Sequence, residues 1–309
     1  MNIILAEPRG FCAGVTRAID IVEKVLEKFG APIYVRHEIV HNRYVVEDLK
    51  KKGAIFVEEI DQIPDNAIVI FSAHGVSKKV EEDAKLKGLR VIDATCPLVS
   101  KVHREAKKYE DGGYEIILIG HKGHPEVEGT SGRVNKKVTL ISDENEAHNV
   151  VLESSGKIAY VTQTTLSVDD TKKIVDVLEN RFPRMQKGLA TKDICYATQN
   201  RQDAVKELSK QIELLLVIGS EKSSNSNRLR DLGEEFGVTS YLINDASDIK
   251  PDWLKNIENI GISAGASAPE ILVQEVVKKL EALSTNEVKV IPMNGKKENI
   301  QFILPKEVR

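Results

Sequence analysis

Short apolar runs alternate with amphipathic stretches along almost the whole chain. The runs at 3–6, 33–35, 55–57, 67–71, 90–92, 114–119, 138–141, 158–161, 214–218, 240–243 and 259–262 are rich in Ile, Val and Leu. Bounded by polar and glycine residues, they read as strands. Between them, apolar residues recur three to four apart at 16–29, 43–52, 78–87, 98–109, 171–181, 201–212, 227–236 and 269–282. That spacing puts them on one face of a helix. Strands alternating with helices predict an α/β fold with largely parallel sheet. After 282, the runs 288–292 and 299–304 read as two more strands, in a tail expected to pack back on an earlier part of the chain.

The pattern recurs three times, and each recurrence carries a cysteine. A turn and then a helix follow Cys12, Cys96 and Cys195, which are the only cysteines in the chain. Next in each third comes a strand that ends in a polar loop, at 38–42, 120–126 and 219–226. His41, His124 and Ser224 lie at nearly the same distance from their cysteines. A later strand ends in a second polar loop, at 72–75, 162–165 and 263–267. Repeats of this kind predict three similar units. The expected domains are 1–95, 96–192 and 193–282, with the tail 283–309 packing back on the first. Ligands of open α/β sheets bind outside the carboxyl ends of the strands, where both sets of loops would lie. About a pseudo-threefold axis the three cysteines would meet.

Composition narrows the classes of function. The 309 residues carry a net charge of −3 with 29% charged and 41% hydrophobic residues. This is an ordinary soluble surface, with no basic excess for nucleic acid or an anionic membrane. No apolar run approaches the roughly 20 residues of a membrane span, and the first residues lack the form of a signal peptide. The expected location is the cytoplasm and the expected state a monomer. An odd number of cysteines, far apart, argues against a disulfide framework.

The three thiols read either as small core residues or as one shared metal site, and their equivalence in the repeat favours the site. Each stands before a helix, where the dipole favours a thiolate. Paired cysteines of the zinc-finger kind are absent, as is ferredoxin-type spacing. Three thiolates on a cubane [4Fe–4S] cluster leave one iron without a protein ligand, an open Lewis-acid position.

The loops supply the other chemistry. His41, His74, His124, Ser223, Ser224, Asn225, Ser267 and Thr164 form a set rich in hydrogen-bond donors, suited to an anion. Ser223–Ser226 also read as a capping run. There is no P-loop, so a nucleotide is not indicated. Glu126 reads as a general acid or as a solvated surface carboxyl. His37, His103, His121 and His148 read as structural or surface residues.

The stretches PRGFCAGVTRAI, EIVHN, FSAHGVS, DATCPLV, GHKGHPEVEGT, TQTTLSVDDT, DICYATQNRQ, GSEKSSNSNRL and AGASAPEILVQ run in order through the chain. On these motifs the sequence resembles the IspH/LytB family of 4-hydroxy-3-methylbut-2-enyl diphosphate reductases, of the non-mevalonate isoprenoid pathway. The resemblance implies a trefoil of three α/β domains around a central iron–sulfur site. It implies a [4Fe–4S] cluster on Cys12, Cys96 and Cys195, with one iron lacking a protein ligand. It implies reductive removal of the hydroxyl of an allylic diphosphate, giving isopentenyl and dimethylallyl diphosphates, with reduced ferredoxin or flavodoxin as electron donor. His41, His74, His124, Ser223, Ser224, Asn225 and Ser267 would hold the diphosphate. Glu126 would be the proton donor, and Thr164 would position the hydroxyl and the proton path. A cluster-dependent hydro-lyase and a non-enzymatic metal scaffold are the competing readings.

Overall fold

The computed structural model describes residues 1–153, 157–186, 193–285 and 287–309. In chain order, β1 (Asn2–Leu5) leads to α1 (Ala13–Phe29), β2 (Ile33–Arg36), α2 (Arg43–Lys51), β3 (Ala54–Val57), β4 (Ile68–Phe71), α3 (Lys78–Leu86), β5 (Arg90–Asp93) and α4 (Pro97–Asp111). There follow β6 (Glu115–Ile119), α5 (Pro125–Ser131), β7 (Val138–Ile141), α6 (Glu144–Asn149), β8 (Ile158–Thr162) and α7 (Val168–Arg181). The last elements are α8 (Tyr196–Leu208), β9 (Leu214–Ile218), α9 (Ser224–Glu235), β10 (Thr239–Ile243), β11 (Asn259–Ala264), α10 (Glu270–Leu283) and β12 (Lys289–Pro292). Three sheets result, of order β10-β9-β11-β1-β12, β3-β2-β4-β5 and β7-β6-β8, and every described strand pair is parallel.

The chain divides into two compact units. The first comprises Met1–Thr16, Val40–Asp48 and Tyr196–Gln301, and the second Arg17–Ile39, Leu49–Cys195 and Phe302–Arg309.

The five-stranded sheet belongs to the first unit. Side chains alternate along its strands, and both faces of β9, β11 and β1 are buried. Leu214, Leu216, Ile260, Ile262, Ile3 and Leu5 pack with Leu272, Val273, Val276 and Leu280 of α10. Leu215, Val217, Ile4 and Ala6 pack with Val205 and Leu208 of α8 and Leu229 and Leu232 of α9. Each such side chain contributes about 1.5–3 kcal/mol when fully buried. β1 therefore lies between β11 and β12, with Ile3 opposite both Ile260 and Val290. Residues Ile3 to Ala6 are all buried, and a strand apolar on both sides needs cover on both faces. The first strand of the chain thus sits in the sheet of its last third, apart from β2–β5. The boundary expected at 192 lies outside the described residues.

The second unit holds the other two sheets. Val69 and Phe71 pack with Ala84 of α3 and with Ile60, Ile63, Val76 and Leu89. In the three-stranded sheet, Ile117, Ile119 and Tyr160 face Ile174, Val175 and Leu178 of α7. On its other side Ile116, Leu118 and Val161 face Val102 and Ala106 of α4 and Val127 of α5.

The tail differs from expectation. The run 288–292 forms β12, beside β1, but 299–304 forms no strand. Its backbone is engaged differently: Arg17 Nε donates to the Ile303 carbonyl at 3.0 Å. Two helices, α5 and α6, were not expected. Each is too short to show an apolar period, and each starts from a side-chain cap, His124 for α5 and Asp143 for α6. Among the described residues no helix is long and apolar enough to cross a membrane.

Candidate active site

The three cysteines occupy equivalent local positions. Each immediately precedes a helix: Cys12 before α1, Cys96 as N-cap of α4 with Pro97 in its first turn, and Cys195 before α8. Proline suits that first turn because its N–H would have no helical partner. None is in a disulfide, and each is half-buried. Each backbone N–H donates to a carbonyl in one of the second polar loops. Cys12 pairs with Ala266 at 3.3 Å, Cys96 with Ala73 at 3.0 Å and Cys195 with Thr164 at 3.0 Å. Each cysteine is thus pinned to the loop of the third that precedes it in the cycle, beyond β11, β4 and β8 respectively.

Among the described residues no three His, Cys, Asp or Glu side chains are grouped to hold a single metal ion. A cluster of several irons places its thiolates on different metal atoms, so it does not need them gathered around one ion. Three half-buried cysteines outside disulfides would suit iron–sulfur chemistry.

In the second unit, four of the expected residues form a connected group. Glu126 is in the first turn of α5 and buried, 5% exposed. The Thr164 N–H donates to its Oε2 at 2.9 Å, and the Thr164 hydroxyl lies 3.0 and 2.9 Å from Oε1 and Oε2. Upstream, Glu126 N–H donates to His124 Nδ1 at 3.1 Å. That bond caps α5 and fixes the tautomer: with Nδ1 accepting, the ring is neutral and Nε2 carries the proton. His124 therefore presents a donor. The His74 ring meets it edge-on, centroids 5.9 Å apart, and Ser72 Oγ lies 3.3 Å from His74 Nδ1.

His103, read from the sequence as structural, stands behind this group. It is buried on α4. Burial, then the charge of Arg133, pushes its pKa down to about 4, so the ring is neutral at pH 7. A Cβ at Gly75 would come 2.6 Å from the His103 ring, and Gly75 has φ +80°, a conformation open to glycine. The loop carrying His74 is thus shaped against His103. Its only signal in the sequence is its place on the apolar face of α4.

The remaining expected residues belong to the first unit, and Ser223, Ser224 and Asn225 form the start of α9. Ser223 is the N-cap, its Oγ accepting from Ser226 N–H at 3.3 Å and from Ser226 Oγ at 3.1 Å. Asn225 is 4% exposed, yet neither its Oδ1 nor its Nδ2 has a hydrogen-bond partner. Burying an unpaired amide costs about 1–3 kcal/mol. The helix start is tucked against the end of β11, where a Cβ at Gly265 would fall 2.0 Å from Ser226 Oγ. In the loop of Gly265, Ser267 donates from Oγ to the His41 carbonyl at 3.0 Å. Ser226, part of the capping run in the sequence, is the residue that links Ser223 to this packing.

The sequence profile of the LytB protein family matches residues 3–281. The chain belongs to this family. It is 56% identical over 308 residues to 4-hydroxy-3-methylbut-2-enyl diphosphate reductase 2 of Bradyrhizobium diazoefficiens, covering 100% of this chain and 99% of that one. It is 56% identical to the 4-hydroxy-3-methylbut-2-enyl diphosphate reductase of Burkholderia pseudomallei, covering 99% of this chain and 96% of the relative. Among solved structures, the E-1-hydroxy-2-methyl-but-2-enyl-4-diphosphate reductase of Plasmodium falciparum superposes with a TM-score of 0.92 at 39% identity. It covers 100% of this chain and 96% of its own. A second, the terminal enzyme of the non-mevalonate pathway, (E)-4-hydroxy-3-methyl-but-2-enyl diphosphate reductase, gives a TM-score of 0.65 at 33% identity, covering 91% and 99%. The α/β fold of this chain is that of the LytB family.

Proposed function

We propose that this LytB-family chain is a 4-hydroxy-3-methylbut-2-enyl diphosphate reductase, acting in the last step of the non-mevalonate isoprenoid pathway. The observation that carries the reading is whole-length identity of 56% to reductases of that name. The reaction breaks the allylic C–O bond, takes up two electrons and two protons, and releases water. Its products are isopentenyl and dimethylallyl diphosphates.

In this reading Cys12, Cys96 and Cys195 hold a [4Fe–4S] cluster, one iron of which has no protein ligand. When bound, such a cluster supplies electrons and a Lewis-acidic iron. Everything else is done by side chains. His124 donates from Nε2 to the diphosphate, and His74 joins it. His41, Ser223, Ser224, Asn225 and Ser267 hold the same group in the first unit. The unpaired amide of Asn225 supports this role, since an anion would supply the acceptor its Nδ2 lacks. The N-terminus of α9 adds the positive end of its dipole. Anchoring the diphosphate fixes the carbon chain, so the hydroxyl need not be located by collision. Glu126 delivers a proton to the departing oxygen. Thr164, donating to that carboxyl from two atoms, holds it in one orientation and passes protons through its hydroxyl. The electron donor is reduced ferredoxin or flavodoxin, and the enzyme acts as a cytoplasmic monomer.

The test is an anaerobic assay with a chemical reductant. Oxidation of reductant in step with product formation is expected. Turnover without consumption of reductant would indicate a hydro-lyase. Zinc without iron in the purified protein would indicate a metal scaffold.

A further inference from the structure

Three basic side chains stand at matched positions after the three cysteines. Arg17 is five residues beyond Cys12 on α1, Lys101 five beyond Cys96 on α4, and Arg201 six beyond Cys195 on α8. Each reaches the segment that leads into another cysteine, and Arg201 Nη1 also donates to the Ala197 carbonyl of its own helix at 2.9 Å. Arg17 Nη1 donates to the carbonyls of Ala94 and Thr95, at 3.3 and 3.1 Å, just before Cys96. Lys101 Nζ pairs with Asp193, two residues before Cys195, at 3.2 Å. Arg201 donates to the carbonyl of Gly10 from Nε at 3.0 Å and Nη2 at 2.6 Å, and to that of Phe11 at 3.3 Å, just before Cys12. The order is cyclic: the helix after Cys12 serves Cys96, the helix after Cys96 serves Cys195, and the helix after Cys195 serves Cys12.

Ordinary loop stabilisation explains any one of these contacts, since buried carbonyls need donors. It does not explain three cations at nearly one offset, each aimed at the one or two residues before a cysteine. Arg201 makes the point most firmly. It is fully buried, and Glu298 balances its charge at 3.0 Å. A buried ion pair is costly to assemble, and here its fork is spent on two successive carbonyls. Holding both carbonyls fixes the peptide planes leading into Cys12, and so the direction of its Cα–Cβ bond.

We propose that Arg17, Lys101 and Arg201 are positioning residues for the cysteines, each pre-organising the backbone that leads into the next one, and so setting how firmly the chain retains an iron–sulfur cluster. The inference rests on the reading that the cysteines hold such a cluster.

The test uses Arg17→Met, Lys101→Met and Arg201→Met in the full chain. In the iron-free proteins, amide hydrogen exchange is followed at 10–12, 94–96 and 193–195. Each variant should speed exchange at least tenfold in the loop its residue grips, and leave the other two unchanged. In the reconstituted proteins, iron release to a ferrous chelator under anaerobic conditions should be at least tenfold faster. Lys101→Arg should restore retention to near the wild-type rate. Arg201 is fully buried, so its variant tests folding as well, but Lys101 is 37% exposed and Lys101→Met suffices alone. Wild-type release rates in folded variants, or exchange that rises equally in all three loops, would overturn the proposal. A wild-type chain that takes up no iron–sulfur cluster would instead overturn the reading beneath it.

Discussion

Thr164 is bound to Glu126 through two of its own donors, the backbone N–H and the hydroxyl, at 2.9 Å each to Oε2. The carboxyl is therefore fixed at both ends, by this pair and by the backbone of α5. Glu126→Gln conserves the volume and one acceptor oxygen but removes the transferable proton. Turnover should fall by about 10²–10⁴, the usual contribution of a general acid, with iron content and substrate affinity retained. Steady-state rates beside a binding titration decide this. Full activity would remove Glu126 from the role of acid.

His124 has two separable duties, capping α5 and presenting Nε2–H. His124→Ala loses both, and the cap alone is worth about 1 kcal/mol. His124→Asn keeps a good cap. We expect thermal stability to fall for alanine and not for asparagine, and KM to rise for both. An unchanged KM in the asparagine variant would count against a contact with the diphosphate.

Asn225 carries two unpaired buried polar atoms, so its removal should not destabilise the free protein as most buried truncations do. Asn225→Ala is expected to unfold at or above the wild-type temperature while binding the diphosphate substrate at least tenfold more weakly. Calorimetry and an affinity measurement on the same sample check both halves.

Cys12→Ser replaces a soft thiolate with a hydroxyl that is a poor ligand for iron. The variant should lose the whole cluster. Iron and sulfide analysis with the visible spectrum after anaerobic reconstitution would show it, and an intact cluster with normal turnover would contradict the tripod of ligands.

The pKa of His103, pushed down to about 4 in the folded chain by burial and by Arg133, has a pH signature. An unfolded histidine titrates near 6.5. Between about pH 6.5 and 4 the unfolded chain gains a proton there that the folded chain refuses, so stability falls as pH falls. His103→Gln lacks this dependence. Relative to the variant, the wild type should lose on the order of 3 kcal/mol across that window, measured by denaturant titration. A pH-independent difference would show that His103 titrates normally.

Periodicity made most strands and helices legible, because the central strands are buried on both faces and their residues are correspondingly apolar. It failed where polar atoms do the work. α8 begins at Tyr196, not 201, because Thr198, Gln199 and Asn200 interrupt the apolar pattern; Thr198 and Asn200 are nonetheless buried. α5 was hidden because its start is set by one histidine cap and a proline. The place of β1 was invisible, since its four residues suit the interior of any parallel sheet. Among the site residues, spacing pointed to the three cysteines and their loops, and the structure pairs each cysteine N–H with such a loop. The offsets of Arg17, Lys101 and Arg201 from the cysteines stand in the sequence, but their partners, backbone carbonyls and a carboxylate before another cysteine, do not show in it.

The position of β1 has a consequence for the order of events during synthesis. Asn2 pairs with Asn259 and Lys289, and the carbonyl that holds the Cys12 N–H belongs to Ala266. Contacts so distant along the chain form late. The first cysteine to leave the ribosome is therefore the last to acquire its neighbours. While the rest of the chain is made, Cys12 is an unprotected thiol beyond an unpaired strand, and that strand gains its last neighbour only after residue 292 has emerged.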